Sequence, residues 1–253
     1  MDPRNIFSKT AEGYWKSTDH RSGPDLDRIR QIASDIMPTL TLDVATGAGH
    51  ALRAAAPFSS LCAAVDVTME MLRVAREHLS GAGLEHVIYT GGNAEALPFR
   101  ESCVDLLCCR IACHHFGDLP LFLGEVNRVL AAEGRFVIVD SIVPDDEEWD
   151  VFMNGVEAIR DPSHVRSNTL GQWRSMLADS GLCVVHEEVF ERRHPFGEWV
   201  QRAAVSGERS QRLEDKFRSA AERVKEKFQI KLDTRGKIIS YTDEKAIFSG
   251  KLL

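Results

Sequence analysis

At 253 residues, 43% hydrophobic and 27% charged, the chain has room for one α/β domain with an added segment, and its composition excludes both a disordered chain and a bundle of membrane helices. Its 31 basic and 38 acidic residues leave a net charge of −7, which argues against a nucleic-acid partner, because phosphate binding needs clustered Lys and Arg. No apolar run approaches the roughly 18 residues that cross a bilayer, so no membrane insertion is expected, and Met1-Asp2-Pro3-Arg4-Asn5 opens no secretory leader; a cytoplasmic protein is the expectation.

Residues 1–38 read as a polar, mainly helical flap, with Tyr14, Trp15, His20, Gly23 and Pro24 ahead of a helix predicted over 25–37. Residues 39–45 form an apolar strand bounded by Gly47, 51–56 favour helix until Pro57, and 61–67 form a second strand. The apolar positions 71, 72, 75 and 79 predict a helix over 69–79, which Ser80-Gly81-Ala82-Gly83 stops. Strands follow at 87–90, 104–109 and 135–140, with a helix over 120–130 before the last. Short connections between alternating strands and helices imply parallel pairing through right-handed crossovers, a doubly wound α/β sheet whose ligand sits beyond the carboxyl ends of its strands.

Residues 146–180 are helical in pattern, with Thr169 after Asn168 as an N-cap, and 182–190 form a strand. A charged helical stretch spans 197–227, residues 228–232 and 237–241 flank an Asp-Thr-Arg-Gly turn as a hairpin would, and 246–248 make a last strand. This divides the chain into a flap (1–38), a cofactor-binding core (39–145) and a segment (146–253) that completes the sheet and inserts helices as a cap over the acceptor. The six cysteines show no paired CxxC knuckles and read as reduced, buried thiols; Cys109 and Cys113 have helical spacing and would suit a soft metal or arsenical if a helix began there.

The chemistry centres on the strand-to-helix turn Leu42-Asp43-Val44-Ala45-Thr46-Gly47-Ala48-Gly49-His50, where small residues let the backbone approach a ligand. A dinucleotide fold would carry a third glycine where Leu52 stands, so a phosphate-free ligand is favoured, with Asp43 as acceptor for a cationic amino group. S-adenosylmethionine has that amino group and an adenosine. Asp66 ends the second strand, where an acid accepts both hydroxyls of a ribose or else caps the next helix. Past the third strand, Asn93 and the backbone of Ala94 suit an adenine edge, or Asn93 makes an Asx-turn.

These stations, with Cys103-Val104-Asp105-Leu106-Leu107 as a fourth strand, closely resemble the class I S-adenosylmethionine-dependent methyltransferases, and within them the type 11, UbiE-like group that includes quinone C-methyltransferases. The resemblance covers about residues 40–140. It implies a Rossmann-like sheet of seven mostly parallel strands with helices on both faces. It also implies that Asp43, Gly47 and Gly49 line the methionine part, Asp66 the ribose and Asn93-Ala94 the adenine. Neighbouring Ala45, Thr46, Val67, Met71, Glu95 and Arg110 complete the expected cofactor set. Ala45 stands where many relatives carry a glycine. The leader resembles a cofactor-enclosing flap of one subset, which makes Tyr14 and His20 either contacts to the methionine end or packing and surface residues.

Methyl transfer is an in-line displacement, so the enzyme mainly aligns the nucleophile and excludes water. The run from Arg110 through Cys113 to Phe116 is expected to face the pocket, where His114 or His115 is a candidate general base, or one caps a turn and the other packs beside the cofactor. Asp140 is the one tempting metal ligand, and no metal is expected; Asp145-Asp146-Glu147-Glu148 suit an exposed helix start. The expected reaction takes S-adenosylmethionine and a small-molecule acceptor to S-adenosylhomocysteine and methylated product, with a homodimer left open. The competing readings are an NAD-dependent oxidoreductase, which Leu52 disfavours, and a non-catalytic cofactor-binding regulator.

Overall fold

The computed structural model describes residues 22–253. Tyr14, His20 and the rest of the leader up to residue 21 lie outside the described residues. Three apolar runs form the centre of a sheet: β1 (Leu40–Val44), β2 (Leu61–Asp66) and β4 (Val104–Arg110). They are buried on both faces, as strands flanked by crossover helices must be. With β3 (Val87–Gly91) and β5 (Leu130–Val143) they run parallel in the order β3-β2-β1-β4-β5.

Alternation along each strand supplies both faces with core. On one face Leu106, Cys108, Val137 and Val139 pack under α1 (Pro24–Ile36) and α2 (His50–Ala55), through Leu26, Ile29, Ala33 and Ala54. Alongside them α3 (Met69–Ser80) sets Leu72 and Leu79 on Cys62 and Ala64. On the other face Leu107, Cys109, Phe136 and Ile138 meet α4 (Leu119–Val129), through Phe122 and Val126, and α6 (Leu170–Asp179), through Trp173 and Leu177. Thr169 begins α6 with a reciprocal capping box to Gln172, as its position predicts.

The carboxyl-terminal part differs from the sequence expectation in the extent of its strands. The second arm of the expected hairpin and the expected last strand are one 15-residue strand, β9 (Ile238–Leu252). Asp243, Glu244 and Lys245 interrupt the apolar pattern, yet Asp243 and Lys245 are buried. Lys245 Nζ donates to Asp243 and to Ser141 Oγ, both at 2.7 Å, and Asp243 also meets His194 at 3.0 Å. These pairings let a charged stretch continue through the sheet. β9 runs antiparallel between β5 and β7 (Leu182–Pro195), giving the order β5-β9-β7. The seven strands of this path carry two additions of two residues each, β6 (Asn168–Thr169) on β5 and β8 (Lys231–Leu232) on β9. The hairpin's first arm is thus short, because Phe228 still caps a helix.

Between β7 and β9 lie α7 (Phe196–Arg202), α8 (Gly207–Arg218) and α9 (Glu222–Lys227). With α5 (Glu147–Arg160) they enclose a separate aromatic cluster of Phe152, Phe196, Trp199, Phe217, Phe228 and Tyr241. The acidic run at 145–148 begins α5, with Asp146 accepting the Glu148 and Trp149 amides.

Beside the register shift of β7 between Val184 and His186, Gly250 faces Val184, and a Cβ there would overlap the Cys183 carbonyl and press on the Phe136 ring. Gly250→Ala is expected to destabilise the fold by about 1–3 kcal/mol, as overpacking does. Urea denaturation of the folded variant measures it, and an unchanged midpoint would contradict the close approach.

Candidate functional site

The site forms where β1 ends. Ala45, Gly47 and Gly49 all take left-handed backbone (φ 52°, 53° and 80°), which turns the chain sharply into α2. Two of these positions are free of penalty, but Ala45 carries a Cβ in a conformation that costs about 1–2 kcal/mol for an L-residue. Gly47 has open space where a Cβ would stand, so its backbone is accessible to a ligand. Gly49 instead packs against Leu79, and it does not reach the cavity wall.

Two carboxylates organise this turn. Asp66 accepts Gly47 N–H at 3.0 Å with one oxygen and Thr68 N–H at 2.9 Å with the other. Asp43 accepts the Thr46 hydroxyl at 2.7 Å. Burial pushes Asp43 up to about 7, against the opposing pull of the Thr46 hydroxyl and of Arg110. Burial likewise raises Asp66, against its amide hydrogen bonds. Arg110, at the end of β4, is paired with Asp25 of α1 at 2.5 Å, so the first described helix is tied to the site by a buried ion pair.

A cavity of about 700 Å³ opens over the turn. The structure brings Asp43, Ala45, Thr46 and Gly47 to its wall from β1, and Asp66, Val67 and Met71 from β2 and α3. From the loop after β3 come Asn93, Ala94 and Glu95, and from β4 comes Arg110. Asn93 Oδ1 accepts Glu95 N–H at 3.1 Å, the Asx-turn considered above, while Glu95 accepts Asp118 N–H at 2.9 Å. The turn and the cavity-facing position coexist.

The two adjacent histidines part company. His115 lines the cavity and His114 does not. His114 Nδ1 lies 2.6 Å from Asp140, whose other oxygen accepts the His114 amide at 2.7 Å. Burial works to lower the His114 pKa, but Asp140 outweighs it and holds it above the ordinary value. Asp140 is thus committed to His114, and among the described residues no group of three or more His, Cys, Asp or Glu is arranged to hold a metal. Cys109 and Cys113 do not share a helix: Cys109 is on β4 and Cys113 in the short turn after it, their sulfurs 3.5 Å apart and buried.

His50, the last residue of the turn read from the sequence and the first of α2, also lines the cavity. Sequence reasoning missed another part of the wall. Pro162, Ser163, His164 and Val165 carry no local signal. They reach the cavity because Val165 and Arg166 donate their amides to the His114 carbonyl (2.8 and 3.2 Å) and because β6 joins the end of β5. Among the described residues, the helices between β7 and β9 contribute nothing to this wall.

Residues 42–138 match the family described as a methyltransferase domain. The chain is 33% identical to the uncharacterized methyltransferase YcgJ of Bacillus subtilis (strain 168) over 250 residues, 99% of each protein. The crystal structure of YcgJ superposes with a TM-score of 0.86 at 31% identity, covering 90% of this chain and 97% of that one. A demethylmenaquinone methyltransferase of Thermus thermophilus is 34% identical over 116 residues, 45% of this chain and 52% of that protein.

The raised Asp43 has a consequence for stability. Its ordinary value is 3.8 and its folded value about 7, so the folded protein binds a proton that the unfolded chain releases between them. The stability this confers is present below about pH 4 and lost as the pH rises through 7. Asp43→Asn, which mimics the protonated form, is expected to lose less stability than the parent between pH 5 and 8, by an amount on the order of a few kcal/mol at most. Thermal melts across that range check it, and parallel pH dependences would contradict it.

Proposed function

Because the chain belongs to the S-adenosylmethionine-dependent methyltransferases, we propose that it methylates a small organic acceptor held beside His115 in the cavity. The observation that carries this reading is one cavity whose wall holds Asp43, Gly47 and Asp66 together with His115, Ser163 and His164. Its size is that of a site for small molecules.

The residues present fit the cofactor. Gly47 leaves open the space a side chain would fill, and the adjacent carboxylates are buried acceptors suited to a cationic amino acid and to ribose hydroxyls. Asp43 would take the amino group, Asp66 the ribose, and Asn93 with the Ala94 backbone the adenine, while Val67 and Met71 supply apolar wall. Bound there, S-adenosylmethionine supplies an electrophilic methyl group. The protein's own work is alignment and the exclusion of water, for which Ile111, Phe116 and Val165 line the cavity. His115, partly buried and facing the cavity, is the base candidate. His114 is committed to Asp140, and its ring centre lies 4.1 Å from that of His115.

Calorimetry with S-adenosylhomocysteine and with NAD tests the reading. Binding of the first and no response to the second is expected, and the reverse would overturn it. Asp66→Ala is expected to weaken S-adenosylhomocysteine binding about 10- to 100-fold, the scale of lost hydrogen bonds to a charged acceptor. Unchanged affinity in the folded variant would remove Asp66 from the ribose site.

A further inference from the structure

The loop between α5 and β6 sets a second carboxylate behind His115. Ser163 Oγ lies 2.6 Å from Asp161 Oδ1 and 3.1 Å from His115 Nδ1, and Asp161 Oδ1 also accepts Ser163 N–H at 2.9 Å. A carboxylate can only accept, so the single hydroxyl proton of Ser163 points to Asp161. The same oxygen must then accept from His115, which puts the imidazole proton on Nδ1 and the basic lone pair on Nε2. Burial opposes ionisation of Asp161, but the two Ser163 hydrogen bonds help to hold its carboxyl below the usual range.

The surroundings keep His115 neutral. Burial and the His114 ring, centred 4.1 Å away, push it down to about 3, and burial with His114 pushes His164 down to about 4. Around them the wall is Ile111, Phe116, Pro162 and Val165. An amine, cationic at neutral pH, would be stripped of its water against this apolar wall. A neutral hydroxyl on an apolar body does not meet that cost of burying a charge.

Resting on the methyl-transfer reading above, we propose that Asp161 and Ser163 are positioning residues that fix His115 as its Nδ1–H tautomer, so that it accepts the proton of a neutral, hydroxyl-bearing acceptor. As the acceptor oxygen bonds to the methyl carbon, the carbon–sulfur bond breaks with its electron pair left on sulfur. The hydroxyl proton passes to His115 Nε2. The imidazolium so formed is offset by Asp161 through Ser163 and then yields its proton to water. A weakly basic imidazole suffices, because an alkylated hydroxyl is strongly acidic once its new bond is partly made.

Long-range ¹H–¹⁵N spectra of the labelled full chain, with S-adenosylhomocysteine added, test this without a known acceptor. His115 is assigned by the signal lost in His115→Gln. The Nδ1–H form is expected to dominate in the parent and in Ser163→Thr, and Ser163→Ala is expected to lower the tautomer ratio about tenfold. Phenol should shift the Nε2 resonance, and anisole, the same ring without a donor, should not. An Nε2–H form in the parent, a ratio unmoved by Ser163→Ala, or equal effects of phenol and anisole would each overturn the proposal. Calorimetry on the same samples separates the two failures: no S-adenosylhomocysteine binding sinks the methyl-transfer reading, while binding with the wrong tautomer sinks the relay alone.

Discussion

Two amide hydrogen bonds to Asp66 tie together the parts on which the proposed cofactor site depends. One comes from Gly47, in the turn after β1, and the other from Thr68, at the start of α3. The Thr46 amide adds a bond to the Val65 carbonyl, so the turn is fastened to β2 along its length. The turn needs this support, because Ala45 holds a left-handed backbone that its Cβ disfavours. A carboxylate held by two amides from different elements is already oriented before any ligand arrives, and little ordering is left to be done on binding.

The cavity wall carries both buried carboxylates and histidines, which is what the proposed pairing of a cationic donor with a neutral acceptor asks of it. The carboxylates Asp43 and Asp66 are both raised by desolvation, and a positive group is welcome beside them. His114 is paired with Asp140 and does not line the cavity, while His115 and His164, which do, have their pKa values pushed low by burial. The Arg110–Asp25 pair couples α1 to the end of β4. Buried pairs of this kind contribute modestly to stability and more to fixing one arrangement of helix on sheet.

The part of the wall proposed for the cofactor was legible in the sequence because its residues lie at the ends of strands. Asp43, Asp66 and Asn93 come at or just past the ends of β1, β2 and β3, and apolar runs ended by small or acidic residues reveal such strands without knowledge of the tertiary fold. Gly49 and His114 show the limit of that logic, since adjacency to a motif does not say which way a residue faces. The part proposed for the acceptor was far less legible. Ser163 and His164 arrive through two backbone bonds to His114 and a two-residue strand pairing, contacts between distant segments that leave no periodic trace. In β9, the burial of Asp243 and Lys245 depends on partners in β5 and β7, so the local pattern suggested a break that pairing removes.

The position of β9 bears on how the molecule comes to be made. It is the last strand in chain order, yet it lies between β5 and β7, which precede it. Until β9 leaves the ribosome, β5 and the 14-residue β7 each present an unpaired edge, and β7 has no strand to join. The parallel half can form early during synthesis, while the antiparallel half must wait for the final segment to thread into a gap. That interval is when nascent copies are most exposed to edge-to-edge association with one another.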